Sequence, residues 1–273
     1  MTTSPAAAHV GLFDSGIGGL SVLRALRRQL PAARCSYIAD TAFTPWGERS
    51  AGWVVARCEQ LSAWLIDAGA DLVLVACNTG TTQAIAALRA RWPAVPFVGV
   101  EPGIKPAVAA SRNRRVAVMA TGGTLSSHRL HQLVDQHAGD AMVLRLPCPG
   151  LAEAIERAAD SDAALGGQLD AIAQRLRDAE VDTVVLGCTH YPLVADALQQ
   201  RLGPAVRLID TADAVARRVA SLLPPAGDGA AGPLRLLATG APEALQRAAH
   251  RWLAADALIE RLPLPPPDQT AKP

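Results

Sequence analysis

Lysine is nearly missing from this chain of 273 residues: only Lys105 and Lys272 occur, and neither follows an apolar strand. A Schiff-base lysine at a strand end has no candidate, which argues against pyridoxal chemistry. Long apolar runs are lacking too. None approaches the ~18 residues of a membrane-spanning helix, so no membrane partner is expected. Nor is there a surplus of either charge. With 26 Lys and Arg against 25 Asp and Glu, the net charge is +1, and no basic face is expected to track the backbone of a nucleic acid. The opening M-T-T-S-P-A-A-A-H has neither a basic start nor an apolar h-region, so a cytoplasmic location is expected. The pattern C-x-x-C is absent, and five cysteines, at 35, 58, 77, 148 and 188, make an odd number. Reduced thiols follow, rather than a disulfide framework or a zinc ribbon.

Half of the residues are apolar, enough to bury one large core or two modest ones. One stretch organises the rest. From Thr183 to Pro192 the chain reads T-V-V-L-G-C-T-H-Y-P, a short β-branched apolar run that ends at Gly187 and delivers Cys188, Thr189 and His190. This is the pattern of a buried parallel strand whose carboxyl end feeds a loop, the edge at which open α/β sheets bind ligands. The same sentence occurs earlier. Asp71 to Thr79 reads D-L-V-L-V-A-C-N-T, with Cys77 under Cys188, Ala76 under Gly187 and Asn78-Thr79 under Thr189-His190. A second correspondence lies upstream of each: V-G-L-F-D-S-G-I-G-G from Val10 and V-A-V-M-A-T-G-G-T from Val116 are both strand-then-glycine-loop units. Two similar α/β halves are the leading reading. Facing each other about a pseudo-twofold, they would present the two cysteines to one cleft from opposite sides.

In chain order, alternating strands and helices fill both halves and imply mostly parallel sheets flanked by helices. The loop Asp14-Ser15-Gly16-Ile17-Gly18-Gly19 can gather backbone N–H groups on a small anion at a helix start. Ser21 stands where a dinucleotide fingerprint would need glycine, so that ligand is disfavoured despite Asp40 downstream. The loop from Asp40 to Gly47 shares the same edge; a plain surface turn and a ligand contact both remain open for it. Its neighbours Cys35 and Cys58 are read as core. After Cys77 a helix is expected over 82–91, and after Cys188 one over 193–202. Glu101-Pro102-Gly103-Ile104-Lys105-Pro106 breaks the pattern and is the candidate crossing between halves. The expected domains are 1–101 with 211–264, and 102–210, followed by a Pro-rich disordered tail over 265–273. His128, His131 and Asp135 share one helix face, but no further ligand accompanies them, so a solvated face is favoured over a metal site. No metal is expected.

A cysteine at a strand end, facing a helix N-terminus, has its thiolate favoured by backbone N–H groups and the macrodipole. Asp14 beside Cys77 and His190 beside Cys188 are the titratable neighbours expected at the same edge. Two facing thiols suit removal of a proton from one face of a carbon and its return to the other. With each sulfur roughly 3 to 3.5 Å from that carbon, they would sit about 6 to 7 Å apart, too far for a disulfide. The Asp14-Ser15 loop, Asn78, Thr79, Thr121 and Thr189 offer donors to carboxylates and an acceptor to an ammonium, so an amino acid fits. Two other readings keep the same residues: an anion-binding protein without catalysis, with both cysteines in the core, and a thiol redox protein.

The motifs F-D-S-G-I-G-G-L-S-V (13–22), Y-I-A-D-T-A-F-T-P-W-G (37–47), A-C-N-T (76–79), G-V-E-P-G-I-K-P-A (99–107), T-G-G-T (121–124) and L-G-C-T-H-Y-P-L (186–193) closely resemble those of bacterial glutamate racemases. The resemblance runs to about Ala220. It implies two α/β domains of the aspartate/glutamate racemase type with the active site between them. The implied activity is interconversion of L- and D-glutamate without a cofactor, supplying D-glutamate for peptidoglycan. By the same resemblance Cys77 and Cys188 are the two bases and Asp14 and His190 their assistants. Asp14, Ser15, Trp46, Gly47, Asn78, Thr79, Thr121, Thr189 and His190 are the substrate contacts, and Glu156 falls where the family has a polar group. Three departures are visible: Trp46 replaces the usual tyrosine, Gly80 the usual alanine after C-N-T, and Ala39-Asp40-Thr41-Ala42-Phe43 the usual Gly-Asp-Thr-Ala-Arg. Aspartate is the nearest rival substrate, and the oligomeric state is left open, a homodimer among the options.

Overall fold

The computed structural model describes residues 7–157, 163–224, 231–253 and 258–267. The chain divides into two compact units, Met1–Val100 with Ala212–Pro273, and Glu101–Thr211. The first begins with β1 (His9–Asp14), α1 (Leu20–Gln29), β2 (Arg34–Ala39), α2 (Ala51–Asp67), β3 (Leu72–Val75), α3 (Asn78–Arg91) and β4 (Phe97–Gly99). The second contains α4 (Ile104–Ala110), β5 (Arg115–Ala120), the single turn α5 (Gly122–Leu125), α6 (His128–His137), β6 (Met142–Pro147), α7 (Leu151–Arg157), α8 (Ala163–Asp178), β7 (Thr183–Leu186), α9 (Ala195–Leu202) and β8 (Arg207–Ile209). The chain then returns to the first unit with α10 (Ala212–Leu222), β9 (Leu234–Ala238), α11 (Pro242–Leu253) and β10 (Ile259–Arg261).

Every strand pairing is parallel, and the strand orders are β10-β9-β2-β1-β3-β4 and β6-β5-β7-β8. The segment β2-β1-β3-β4 and the whole of β6-β5-β7-β8 have the same topology, which is the sequence repeat in three dimensions. Both faces of the first sheet are covered. Val10 and Leu12 of β1 pack with Leu20, Leu23 and Leu26 of α1, Val215 and Val219 of α10, and Leu245 of α11. Phe13, between them in the alternation, faces the other way and packs with Leu61 and Leu65 of α2 and Leu88 of α3. The near-continuous apolar strands follow from this, since each successive side chain has a helix layer to enter.

The equivalence extends to single hydrogen bonds. Phe13 pairs with Val75 and Met119 with Leu186 at the carboxyl ends of the central strands. One residue later Ala76 N donates to Phe13 O, and Gly187 N to Met119 O, both at 2.8 Å. Each strand thus ends two residues before its cysteine, and its last ladder hydrogen bond is made one residue before it. At Gly187 the approach is close enough that a Cβ would lie 2.8 Å from the Met119 carbonyl oxygen, so this side of the repeat requires glycine where the other accepts Ala76.

Four expectations need correction. Helix α3 starts at Asn78 rather than at 82, because Cys77 caps it and draws Asn78, Thr79 and Gly80 into the first turn. A helix, α4, occupies the stretch read as a break: Pro106 falls in its first turn, where a missing N–H leaves no hydrogen bond unmade. After Cys188 the chain makes a 3₁₀ turn at Tyr191–Val194, with Leu193 N donating to His190 O, and an α-helix begins only at Ala195. In the expected disordered tail, Pro267 is buried and the Pro265 carbonyl accepts a hydrogen bond from Arg57; residues 268–273 lie outside the described residues. Strand β10, just before that tail, was not anticipated.

Gly187→Ala is expected to destabilise the protein by about 1 to 3 kcal/mol, the usual range for overpacking against immovable backbone. Urea unfolding against wild type measures it; an unchanged midpoint would contradict the close approach.

Candidate active site

In the first unit the site is built at the carboxyl ends of β1 and β3. Cys77 is in extended backbone as the N-cap of α3, and its Sγ accepts a hydrogen bond from Gly80 N at 3.4 Å. A sulfur so placed sits on the positive end of a 14-residue helix. Ser15 Oγ lies 3.7 Å from Cys77 Sγ and 3.5 Å from Asp14 Oδ1, within reach of both. The Asp14 carboxylate is itself fixed, because Oδ2 accepts Gly19 N at 2.7 Å. Tyr37, wholly buried, donates to Gly16 O at 2.6 Å and pins the turn between them. Asp14, Ser15, Asn78 and Thr79 are all buried, and Asn78 Nδ2 donates to Val100 O at 3.4 Å. Gly47 is half-buried. Trp46 behaves differently from a side chain offered to a ligand: it is 1% exposed and its indole N–H donates to Asp40 Oδ2 at 3.1 Å. Its backbone is what this residue has to offer a substrate.

In the second unit the equivalent ends of β5 and β7 carry Thr121 and Cys188. The Thr121 hydroxyl caps α5, accepting Thr124 N at 3.3 Å. Cys188 Sγ is 3.7 Å from His190 Nδ1, and His190 Nε2 is 2.8 Å from Glu156 Oε1 on α7. Thr189 and His190 are buried. Burial alone would lower the basicity of the imidazole. Contact with Cys188 on one side and Glu156 on the other outweighs it and holds the His190 pKa well above the ordinary value. The ring thus bridges a sulfur and a carboxylate, contacts that favour its protonated form. The two halves differ here: backbone N–H groups of a helix serve Cys77, whereas a side chain serves Cys188, which lacks a helix start of its own.

The other thiols are kept inert. Burial raises Cys35 to about 11. It raises Cys148 to about 12, with the nearby charge of Cys188 adding to the effect. Cys58 is pushed well up, first by burial and then by Cys77. Among the described residues no group of three or more His, Cys, Asp or Glu is placed to hold a metal ion. His131 of α6 instead has its Nε2 2.9 Å from an Arg145 guanidinium nitrogen, poor company for a second cation. Among the described residues no helix is long and apolar enough to cross a membrane.

Two groups escaped the sequence reading or entered it only by resemblance. Glu156 was visible by motif but not by any spacing that ties it to His190. Arg57 was missed, although an arginine on the apolar stripe Trp53, Val54, Cys58, Leu61 is a signal for a buried partner.

The raised basicity of His190 has a defined direction. Its stabilising contact with Glu156 is fully present below the unfolded imidazole value and is lost as pH rises through the raised folded value. NMR titration of the ring should find His190 protonated through neutral pH, and Glu156→Gln should move its midpoint down. An unperturbed midpoint in wild type would contradict the bridge.

Comparison with known proteins places the chain in a family. The family model described as Asp/Glu/Hydantoin racemase matches residues 17–219. A glutamate racemase of Pseudomonas aeruginosa is 45% identical over 247 residues, covering 88% of this chain and 92% of the relative. Among solved structures, a glutamate racemase isoform of Bacillus anthracis superposes with a TM-score of 0.86 at 28% identity, covering 95% of this chain and 99% of that one. The Escherichia coli glutamate racemase, in complex with L-glutamate and the activator UDP-MurNAc-Ala, gives a TM-score of 0.80 at 33% identity, covering 94% and 98%. With a matched region spanning most of both units and close relatives that are glutamate racemases, this chain belongs to the Asp/Glu/hydantoin racemase family.

Proposed function

We propose that this protein is a glutamate racemase that works with two cysteine bases and no cofactor, supplying D-glutamate for peptidoglycan. The observation that supports it most directly is the doubled strand end, with Cys77 and Cys188 at equivalent positions of one repeated topology, each beside a polar partner. The names of the relatives supply the amino acid.

The step balances with nothing added. One thiolate takes the proton from Cα, and the electron pair of the broken C–H bond spreads into the adjoining carboxylate. The other thiol gives its proton to the opposite face. Inversion is complete, and the enzyme is left with the protonation states of its two sulfurs exchanged. His190, held between Cys188 and Glu156, is the partner of the Cys188 sulfur. Asp14 assists Cys77, with Ser15 between them, and the Gly80 N–H supports the sulfur from the helix side. Asp14-Ser15, the backbone of Trp46-Gly47, Asn78-Thr79, Thr121 and Thr189-His190 hold the ammonium and carboxylates of the substrate.

Circular dichroism of D-glutamate with purified enzyme and no cofactor should decay to zero. Either Cys77→Ser or Cys188→Ser should slow that decay by about 10² to 10⁴-fold, the usual contribution of a positioned acid or base. No decay with glutamate, but decay with aspartate, would overturn the substrate. Full activity in either variant would overturn the two-base reading and favour a protein in which the thiols are core.

A further inference from the structure

Below the loop at the end of β2 lies a charge pair that the proposed chemistry does not use. Asp40 and Arg57 are both wholly buried and bidentate: Arg57 Nη2 meets Asp40 Oδ1 at 2.5 Å and Nε meets Oδ2 at 2.9 Å. The carboxylate also accepts the Trp46 indole N–H and, at 2.8 Å, the Thr239 hydroxyl. The third guanidinium nitrogen donates to Gln60 Oε1 at 2.5 Å and to the Pro265 carbonyl at 2.7 Å. Phe43 covers the guanidinium with its ring centroid 4.4 Å away. A buried ion pair is poor value as a source of stability, since apolar residues of similar volume commonly do as well. What a fully satisfied pair does give is a unique arrangement of the groups around it.

Those groups lead to Cys77. The loop 40–47 is tied down at both ends, Asp40 N donating to Asp14 O at 2.9 Å and Trp46 N–H bonding the carboxylate. The ring of Trp46, held by Asp40 and wedged edge-on against Trp53, lies against Gly80, where an added Cβ would come within 3.1 Å of Trp46 Cζ3. Gly80 is the residue whose N–H holds the Cys77 sulfur. The indole and a bare glycine thus share a tight space, with Val75 and Cys58 also close, in which a Cβ at position 80 would displace its neighbours, directly beneath a base of the reaction.

We propose that the buried Arg57–Asp40 pair is the positioning device for Cys77, fixing Trp46 against Gly80 and thereby the N–H to sulfur hydrogen bond. Arg57, Asp40 and the Trp46 ring touch no substrate in this scheme; they are positioning residues. The inference deepens the two-base reading, on which the role of Cys77 as a base rests. It also gives two of the departures from the family motifs, Trp46 and Gly80, one common cause.

The test is site-resolved alkylation. Wild type, Trp46→Phe and Arg57→Lys are treated with iodoacetamide across a pH series, and the modification rates of Cys77 and Cys188 are read separately by peptide mass spectrometry. Trp46→Phe keeps an aromatic ring but loses both the N–H that Asp40 holds and the ring atoms that reach Gly80, so it serves if Arg57→Lys does not fold. Loss or weakening of one hydrogen bond to the thiolate should slow Cys77 at neutral pH by roughly 2- to 10-fold and shift its profile to higher pH, with Cys188 unmoved. Equal changes at both cysteines would mean general loosening and overturn the proposal, as would an unchanged Cys77. Wild-type racemisation of glutamate is measured alongside. Its absence would count against the enzymatic reading, while the alkylation profiles would still decide whether this network controls Cys77.

Discussion

In each unit the cysteine depends first on where a strand is made to stop. Ala76 N on Phe13 O and Gly187 N on Met119 O are the last hydrogen bonds of the central ladders, and they fix the residue after each as the first one free of the sheet. Both of those residues are cysteines. In a sheet with helices on both faces a slip of one residue would send every side chain into the opposite helix layer, so the alternating contacts of Leu12 and Phe13 lock this register. The chemistry of the thiols inherits its geometry from the core.

From that shared frame the two halves solve one electrostatic problem in different ways. A thiolate in a buried place needs compensation. Cys77 receives it from a helix start, from Ser15 and from a glycine N–H pressed into position by an indole. Cys188 is followed by a 3₁₀ turn, which offers no aligned helix start, and an imidazole backed by Glu156 takes that place. In the remaining cysteines burial outweighs the nearby cations, Arg27 for Cys35, Arg57 for Cys58 and Arg175 for Cys148, and pushes the thiols upward.

Much of this was legible in the sequence because it is local. The two apolar runs ending in cysteine, the glycine loop after Asp14 and the pairing of Cys188 with His190 are all set by neighbours in the chain. What could not be read there is contact across the chain. Arg57 on α2 meets Asp40 after β2 and Pro265 near the far end, and no periodicity announces that triangle. Glu156 reaches His190 from another element in the same way. The misplaced start of α3 has a different origin: Asn, Thr, Gly and Thr read as loop by propensity, and a sulfur acting as helix cap overrides them. At α4 the prolines looked like breakers, yet a proline in a first turn breaks nothing.

The central claim is that each half contributes one base, and the position of the label at low conversion tests it most directly. Each enantiomer of glutamate would be incubated in deuterated water and stopped after a few per cent turnover, and the deuterium in remaining substrate and in product measured separately by mass spectrometry. Two bases on opposite faces predict deuterium in the product enantiomer and protium in the recovered substrate, in both directions. Deuterium entering recovered substrate as fast as product, or product that keeps the original protium, would point to a single base serving both faces and contradict the account.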